Sequence, residues 1–451
     1  MARPALIVAL LATAALGASC LDLPGGAVNP PPVSPTPVEL GPAQYRALWV
    51  DAFHDGMKSQ TQIRKLVVDA HRANINALFV QVRPRANAYF NKSDEPRASD
   101  IEGPTSFDPL AYVIRLAHEA NPRIEVHAWL NTFFVGNGQV YKDHAASWAS
   151  KADDGSSGGF FDPGVPEVQT YTHKIFVDVA ANYDVDGLHM DFVRYPTGNW
   201  GYNSSALGLF QRETGFRGTP AADDKTFMAW RRDQVTNFVK DLHKELQASH
   251  PGVKLSGAFI CYGGGPRSDA DWVYTSAYTS VYQDWRLWLA SGYVDIGVPM
   301  NYDSDWSSRQ KGWFDQWNTW EKNSSFRDRV LTGVGAFLNY PEETLAQIRR
   351  ALAPSAQGHT VLGVAIYSYA STSVYAADDY YTNPDYANAL PRQPYFNGIT
   401  DQTLLAQRAD KLNDWFMTEL AEPDRYPDVE LGWVDTKPVF PQPAATPTLG
   451  T

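Results

Sequence analysis

The amino-acid sequence predicts an α/β protein whose single main domain, residues 44–425, is a closed (β/α)8 TIM barrel. Strand-like and helix-like patterns alternate along residues 45–422, which indicates a parallel sheet with crossover helices. Eight such units can be counted, as a closed barrel of this kind requires. The first strand is not followed by the Gly-rich phosphate turn that an open doubly wound sheet usually carries. These observations favour the barrel over an open sheet.

Each predicted strand is an apolar-rich run of strand length, and amphipathic stretches that predict helices lie between the runs. In chain order, the predicted strands cover residues 46–52, 76–82, 124–130, 185–192, 254–260, 294–300, 330–337 and 360–367. The predicted helices cover residues 61–73, 109–120, 167–182, 223–249, 342–353 and 401–421. The segment 426–451 is rich in proline, and we expect it to be a loosely packed C-terminal tail.

Residues 1–19 have the pattern of a signal peptide, which predicts export. An apolar run at residues 5–16 follows Arg3 and is too short for a permanent membrane-spanning helix. The run ends in Leu-Gly-Ala-Ser-Cys and resembles a bacterial lipobox, which predicts lipidation of Cys20 and anchoring in the cell envelope. Residues 20–43 would then form a Pro-rich linker behind the lipid anchor. Cleavage after Ser19 without lipidation is the alternative, and it would give a secreted protein.

The composition argues against several classes of partner. A net charge of −12 and a pI near 5.3 argue against nucleic acid, because phosphate binding needs a basic face. No second hydrophobic span follows residue 20, so we expect membrane contact through the lipid anchor only. Lipidation of Cys20 would leave Cys261 as the one remaining thiol, so no intramolecular disulfide is expected. Aromatic residues make up 13% of the chain, and sugar faces stack on such rings.

Polar side chains collect at the carboxyl ends of the predicted strands, where a barrel enzyme keeps its chemistry. Asp191 is near the end of the fourth strand, and His189 points the same way because side chains alternate. Branched apolar residues normally fill a barrel, so this polar rim favours a polar ligand. The rim comprises Asp51, His54, Gln81, Arg83, Arg85, His127, Trp129, Asn131, His189, Asp191, Arg194, Asn301, Asp303, Asp305, Tyr367 and Tyr369. For His127 and His189, hydrogen-bonded barrel filling is an equally good interpretation.

A metal centre is a weak alternative for this rim. Two histidines and an aspartate can bind zinc. However, the sequence contains no H-x-H or H-E-x-x-H pair, and Arg83 and Arg194 would place positive charge beside the cation. We therefore predict no metal and no other cofactor.

Carboxylates in an exported, acidic, aromatic-rich barrel point to glycosidic-bond cleavage, which needs one carboxylate and one carboxylic acid. Asp191 is the predicted nucleophile, and Arg194 and His189 would help to keep it ionised. The acid is less obvious, because the fifth strand has no glutamate at its end. The first candidates for the acid are Asp303 and Asp305 after the sixth strand, and Asp55 and Glu102 in loops stay open.

Several blocks of the sequence resemble the glycosyl hydrolase family 10-like bacterial lipoproteins, in the same order along residues 44–370. The blocks are FVQVRPR (79–85), FDPL (107–110), HAWLN (127–131), DPGVPEV (162–168), DGLHMD (186–191) with RYP (194–196), and PMNY (299–302). The resemblance implies a TIM-barrel glycoside hydrolase of the bacterial envelope, similar to members that cut peptidoglycan glycan strands lacking stem peptides. It implies Asp191 as the catalytic carboxylate, and as substrate contacts Gln81, Arg83, Trp129, Asn131, His189 and Arg194. The PMNY block adds Tyr302 to the candidate substrate contacts.

The sequence departs from the family pattern at Asn87, where relatives commonly carry an acidic residue, and in an insertion at residues 199–224. Because the acid is not obvious, a non-catalytic glycan-binding barrel on the cell surface is the second hypothesis. Residues 263–265 are three glycines and are interpreted as a flexible loop over the site. Candidate sugar-stacking residues in loops are Trp200, Tyr202, Trp306, Trp313 and Trp317. The helical spacing of the last two, with Trp320, equally indicates a core-facing helix.

Overall fold

The computed structural model describes residues 38–374, 407, 413–422 and 438–449. Within these residues, eight parallel strands close a barrel in sequential order, and the last strand pairs with the first. The strands are β1 (Tyr45–Val50), β2 (Ala77–Arg83), β3 (Glu125–Asn131), β4 (Gly187–Asp191), β5 (Lys254–Ile260), β6 (Ile296–Asn301), β7 (Leu331–Gly335) and β8 (Gly363–Tyr367). The predicted (β/α)8 barrel is confirmed, and every observed strand overlaps its predicted range.

The helices lie in the connections between the strands. They are α1 (Gln60–Arg72), α2 (Pro109–Glu119), α3 (Gln139–Trp148), α4 (Pro166–Asn182), α5 (Ser204–Thr214), α6 (Lys225–Ser249), α7 (Ser276–Thr279), α8 (Trp285–Ala290), α9 (Ser308–Asn323) and α10 (Pro341–Leu352). Side-chain caps fix several starts: Asp108 accepts the N–H of Ala111 in α2, and Asp224 accepts that of Phe227 in α6. The predictions miss α3, α5, α7 and α8, and they anticipate α9 only through the helical spacing of its tryptophans. Helices α7 and α8 are too short for a helical period to be visible.

The strands separate two apolar layers. Along β1, Tyr45, Ala47 and Trp49 point into the barrel, whereas Leu48 and Val50 pack under the surrounding helices. This alternation follows from the two-residue period of a strand. The barrel interior is therefore filled by side chains, and a ligand can be received only at an end.

A polar network fills the amino-terminal end of the barrel. Glu125 accepts hydrogen bonds from Tyr45 at 3.0 Å, Lys254 at 2.8 Å and Thr446 at 2.8 Å. Burial raises the pKa of Glu125, but His127 and Lys254 more than reverse this and hold it well below its ordinary value. The carboxylate therefore stays charged and links the first, third and fifth strands to the C-terminal segment.

The described part of the C-terminal tail, residues 438–449, packs against the same end of the barrel. Arg46 donates to the carbonyl of Gln442 at 2.5 Å, and Asn76 donates to that of Ala444 at 2.9 Å. The expectation of loose packing is thus wrong for these residues, because their carbonyls bind donors at the starts of β1 and β2.

Several predictions fall outside the described residues. These are the signal peptide at 1–19, lipidation of Cys20, the linker up to residue 37, and most of the helix predicted at 401–421. Residues 413–419 of that last segment are helical. Among the described residues, no helix combines the length and the apolar character needed to cross a membrane.

Candidate active site

A cleft at the carboxyl end of the barrel consists of two cavities that meet at Asp191. One cavity, the aromatic lobe, has a volume of about 410 Å³, and its lining includes Trp49, Phe53, Gln81, Trp129, Phe337 and Tyr367. The other cavity, the arginine lobe, has a volume of about 600 Å³, and its lining includes Arg194, Tyr262, Asp303, Trp306, Gln310 and Trp313. The residues that line both lobes are Asp191, Phe192, Met300 and Tyr302. A separate surface cavity of about 650 Å³ is lined by residues of α4 and α6 and contains no strand-end residue.

Trp49 lines the aromatic lobe, and His189 fixes its orientation. The indole N–H of Trp49 donates to Nε2 of His189 at 3.0 Å. Because an indole nitrogen only donates, this Nε2 carries no proton, and Nδ1 donates its proton to Ser256 Oγ at 2.9 Å. Burial and the neighbouring His127 lower the pKa of His189 well below its ordinary value, so the ring is neutral. His189 is fully buried and positions Trp49, which corrects its predicted role as a substrate contact.

Asp191 ends β4 at the junction of the two lobes. Phe192, the next residue, has a φ of 48°, and its N–H turns back to donate to Asp191 Oδ1 at 2.6 Å. Burial raises the pKa of Asp191, whereas the charge of Arg194 and the Phe192 N–H oppose the rise. The indole N–H of Trp129 also lowers this pKa, although it forms no hydrogen bond of normal geometry within the described chain. Burial outweighs these neighbours, so the pKa of Asp191 stays above its ordinary value, and Arg194 and the Phe192 N–H limit the rise.

Asp303 lies in the arginine lobe, two residues after β6. Burial raises the pKa of its carboxyl from 3.8 to about 7. Its Oδ2 is buried and has no hydrogen-bond partner among the described residues. The Asp303 carbonyl accepts hydrogen bonds from Asn339 at 3.1 Å and Gln347 at 2.8 Å, which hold the backbone in place. Below neutral pH the carboxyl is therefore mostly protonated, and no described residue forms a hydrogen bond with Oδ2.

Asp305, the other predicted acid, is held in ion pairs. Its carboxylate accepts from Lys311 at 3.1 Å and from Arg350 at 3.1 Å. Burial raises the pKa of Asp305, but the bonds to Arg350 and Lys311 more than reverse this and lower it below its ordinary value. A carboxylate that is kept charged by two cations cannot donate a proton, so Asp305 is the wrong choice for the acid. The alternatives Asp55 and Glu102 are exposed in loops.

Arg83 is fully buried in an ion pair with Glu95, with Nε–Oε2 at 2.8 Å and Nη2–Oε1 at 2.6 Å. Its remaining nitrogen donates to the backbone carbonyl of Asn131. The Asn131 side chain donates to Pro84 O at 2.6 Å and accepts from Gln81 at 3.3 Å. Of these predicted substrate contacts only Gln81 lines the cleft. For Arg83 and Asn131 the prediction is wrong, because their polar atoms hold the loops after β2 and β3.

His127 and Asn301 also lie away from the cleft. His127 is fully buried, and its Nε2 lies 3.2 Å from Glu125 Oε2 in the network at the opposite end of the barrel. A side chain at position 187 would place Cβ 2.3 Å from His127 Nδ1, which explains Gly187 in the DG motif. Asn301 donates to Glu321 Oε1 at 3.0 Å and is fully buried. The structure therefore gives both residues structural roles in place of the predicted substrate contacts. For His127 the alternative interpretation, a hydrogen-bonded side chain that fills the barrel, is confirmed.

The structure brings the following predicted residues into one cleft: Gln81, Trp129, Asp191, Arg194, Tyr302, Asp303 and Tyr367. Trp49 also lines the cleft and is absent from the predicted rim, although the two-residue period of β1 is a signal that it points inward. Also absent are Phe53 and Phe337, which follow strands and so escape that period. Their rings reach the cleft only through the course of the segments after β1 and β7, whereas Met300, which also lines the cleft, belongs to β6.

Two of the predicted aromatic residues, Trp306 and Trp313, line the arginine lobe. Trp317 is fully buried, as the core interpretation of α9 requires, and its indole donates to Gly263 O at 2.8 Å. A Cβ on Gly265 would lie 2.8 Å from the backbone nitrogen of Trp317. The glycine segment is thus packed against α9, which corrects its interpretation as a flexible loop.

Metal ligation has no structural support in the described part of the chain. There, no group of three or more histidine, cysteine, aspartate or glutamate side chains is placed to hold an ion. The chemical capacity of the cleft lies instead in its two carboxyls and its aromatic rings.

The fold and cleft define a class of proteins, the TIM barrels that carry carboxyl groups at the carboxyl end of the strands, as glycoside hydrolases do. Residues 44–339 match the profile of the Glycosyl hydrolase-like 10 family. The chain belongs to this family, and the family resemblance found in the sequence is confirmed.

Two named relatives are similar in sequence. Glycosyl hydrolase YngK from Bacillus subtilis (strain 168) is 27% identical over an alignment of 286 positions that covers 57% of this chain and 54% of YngK. The chain thus spans about half the length of that relative. Glycosyl hydrolase DigH from Escherichia coli (strain K12) is 25% identical over an alignment of 342 positions that covers 66% of this chain and 75% of DigH.

A solved structure shows the same fold. The PgaB (BpsB) glycoside hydrolase domain from Bordetella bronchiseptica aligns with a TM-score of 0.54 and 15% identity. The alignment covers 77% of this chain and 97% of that domain. At this identity the likeness concerns the barrel alone.

Proposed function

We propose that the protein is a glycoside hydrolase in which Asp191 is the nucleophile and Asp303 is the general acid. The observation that carries the proposal is a pair of carboxyls with unlike surroundings in one cleft. Burial raises the pKa of both carboxyls, but the Arg194 charge and a backbone N–H limit the rise for Asp191. No such neighbour opposes burial at Asp303, whose pKa is raised to about 7 and whose Oδ2 has no hydrogen-bond partner among the described residues. Cleavage of a glycosidic bond needs one ionised and one protonated carboxyl.

The reaction takes two steps. A carboxylate oxygen of Asp191 attacks the anomeric carbon, and the bond from that carbon to the bridging oxygen breaks. Asp303 gives its proton to the departing oxygen, which leaves as a hydroxyl group. In the second step the Asp303 carboxylate takes a proton from water, and the resulting nucleophile releases the sugar from Asp191. Two displacements at the same carbon retain its configuration, so we expect a retaining enzyme.

The proposed substrate is a polysaccharide of the bacterial envelope or of the extracellular matrix, with peptide-free peptidoglycan glycan strands as the first choice. The aromatic lobe supports a sugar ligand, because Trp49, Trp129, Tyr302 and Tyr367 line it and sugar faces stack on such rings. The Trp129 and Tyr367 rings lie 6.3 Å apart at their centroids. Membership in the family and the motifs shared with envelope hydrolases support the choice of polymer.

The test is a release assay on the purified protein. Peptide-free glycan strands and other bacterial polysaccharides are incubated with the wild type, and new reducing ends and soluble fragments are quantified. We expect fragments from at least one polymer, with the anomeric configuration of the substrate in the first product formed. Binding of a polymer in a pull-down without any fragments would instead support the non-catalytic glycan-binding barrel.

Attachment of Cys20 to a lipid, which would hold the barrel at the cell envelope, is part of the same proposal. The lipobox-like segment before Cys20 and the Pro-rich linker after it support this location. We expect the wild-type protein to sediment with membranes and the Cys20→Ala variant to be released in an active form. A wild-type protein that is recovered entirely in the soluble extracellular fraction would contradict the anchor.

A further inference from the structure

Arg194 differs from the other fully or nearly buried arginines of the described chain. Arg83 is paired with Glu95, and Arg231 donates to the carbonyls of Gly198 at 2.7 Å and Ala222 at 2.6 Å. Arg194 is 9% exposed, yet it forms no hydrogen bond or ion pair with any described residue. Its guanidinium lies over the Phe192 ring, 4.5 Å from the centroid.

A buried guanidinium without partners is costly, because it has lost water and gained no acceptor in exchange. Arg194 lines the arginine lobe, where it is the only lysine or arginine in the described lining. The aromatic lobe has no lysine or arginine in its described lining. Among the described lining residues, the lysine and arginine charge of the cleft therefore lies on one side of Asp191.

We propose that the arginine lobe binds a carboxylate carried by an acidic sugar, and that Arg194 selects for this group. The inference rests on the proposed glycoside hydrolase function and adds the substrate class. The planar guanidinium presents two parallel N–H groups that match the two oxygens of a carboxylate. A cleft with rings on one side and a single cation on the other fits a polymer that carries an acidic sugar beside an uncharged one.

The charge of Arg194 also reaches Asp191, whose pKa it lowers against the effect of burial. Loss of Arg194 would therefore reduce catalysis even if no acidic sugar were bound. The two roles differ in their dependence on the substrate. A role limited to Asp191 changes the rates on acidic and neutral substrates equally, whereas carboxylate binding changes their ratio.

The experiment compares two substrates on two enzymes. Peptide-free glycan strands, which carry a lactyl carboxylate on every second sugar, are used as such and after reduction of their carboxyls to alcohols. For the wild type we expect kcat/KM to be about tenfold or more higher on the acidic strands, as a charge-assisted bidentate contact suggests. For Arg194→Gln we expect the ratio of kcat/KM on the acidic strands to kcat/KM on the reduced strands to fall close to one. For Arg194→Lys, which keeps the charge and loses the fork, we expect an intermediate preference.

Arg232→Gln is the matched control, because Arg232 lies over the Tyr278 ring at 3.9 Å and lines neither lobe. It should keep the full wild-type preference. A preference that is unchanged in Arg194→Gln, or a wild type that cleaves both strands equally well, would overturn the inference.

Calorimetric binding separates this inference from the proposed function. Fragments too short to be cleaved are titrated into the wild type and Arg194→Gln, with and without their carboxyls. One possible result is that the wild type cleaves neither polymer, yet binds the acidic fragments tenfold more tightly than the reduced ones, while Arg194→Gln binds both equally. In that case the hydrolase proposal fails and the carboxylate site stands. Equal binding of both fragments by the wild type would contradict the site.

Discussion

Asp303 and Asp305 are two residues apart, yet their surroundings give them opposite chemistry. Burial without a partner raises the pKa of Asp303 to about 7, whereas Arg350 and Lys311 hold the pKa of Asp305 below its ordinary range. One carboxyl therefore keeps a proton near neutral pH, and the other stays ionised. The difference arises from neighbours on α9 and α10 and not from the local sequence.

Replacement of Asp191 by asparagine tests the nucleophile. We expect kcat to fall by several orders of magnitude, because a covalent step is lost. Folding should stay nearly intact, since burial disfavours the charged form of this carboxyl. The matched control is Asp305→Asn, which should keep activity and lose roughly 1 to 3 kcal/mol of unfolding free energy with its ion pairs. Full activity of Asp191→Asn in the release assay would contradict the assignment of Asp191 as the nucleophile.

The pH profile tests Asp303 as the acid. Its pKa is raised from 3.8 to about 7, so the proton-donating form is lost as the pH rises through 7. We expect kcat/KM to fall about tenfold per pH unit above that value. In Asp303→Asn this alkaline limb should vanish, and activity should survive selectively on substrates whose leaving group needs no proton. An unchanged alkaline limb in the variant would assign it to another group.

The effect of Asp303 on stability at different pH values follows from the same rise in its pKa. Because the pKa of Asp303 is higher in the folded state, its contribution to stability is fully present below pH 3.8 and is lost as the pH rises through about 7. Asp303→Asn should therefore gain stability relative to the wild type above neutral pH, as measured by thermal unfolding at pH 5 and pH 8.

At the scale of elements, a buried ion pair connects three parts of the barrel rim. Arg83 at the end of β2 pairs with Glu95 in the following loop and donates to a carbonyl of Asn131 at the end of β3. Tyr171 of α4 donates to Glu95 at 2.7 Å. These bonds fix the loop backbone next to Gln81, which does line the cleft. The pair thus positions the site without contacting a substrate.

Replacement of Glu95 by glutamine tests this structural role. We expect a loss of roughly 3 to 5 kcal/mol in the free energy of unfolding, because Arg83 would remain charged in a buried site. The Michaelis constant of the folded enzyme should change little. The neighbouring Asp94→Asn is a matched control, since Asp94 pairs with Lys174 at 2.7 Å on the surface and should cost less than about 1 kcal/mol. Urea unfolding measures the free energy of unfolding of both variants. Equally small losses in Glu95→Gln and Asp94→Asn would contradict the structural role of the Arg83–Glu95 pair.

At the scale of the whole molecule, the two ends of the barrel are specialised differently. The amino-terminal end is occupied by the Glu125 network and covered by residues 438–449. Gly41 donates to Pro443 O at 2.8 Å, and Gln44 donates to Ala445 O at 3.0 Å, so the covering segment is tied to the chain just before β1. The contacts that hold the C-terminal segment thus lie at this end, and the cleft with its two carboxyls lies at the other.

Phe440→Ala tests the contribution of the C-terminal segment. Phe440 is fully buried, and the Arg46 guanidinium lies 4.7 Å from its ring centroid. We expect a loss of about 3 to 5 kcal/mol in unfolding free energy, as for other buried phenylalanines. Because the cleft is at the opposite end, kcat/KM below the unfolding range should not change. The half-buried neighbour Val439→Ala should cost clearly less, and equal effects on thermal unfolding would show that the segment is not anchored by Phe440.

The sequence by itself determined the barrel, its eight strands in order, the family and the position of Asp191 at a strand end. Strand alternation and colinear motifs carry this information, because each depends on spacing along the chain. The same spacing also places Gln81 and Trp129 on the inward face at the rim. The structure retains these features, because the two-residue period of a strand and the closure of the barrel determine which side chains point inward.

Only the tertiary structure decided which rim residues are free to act. Arg83, Asn131, His189 and Asn301 stand at strand ends as the sequence predicts, yet each is buried and hydrogen-bonded to residues outside its own strand. The choice between the two candidate acids likewise depended on Arg350, Lys311 and the burial around Asp303. Burial and pairing are set by residues far apart in the chain, and no pattern along one strand records them.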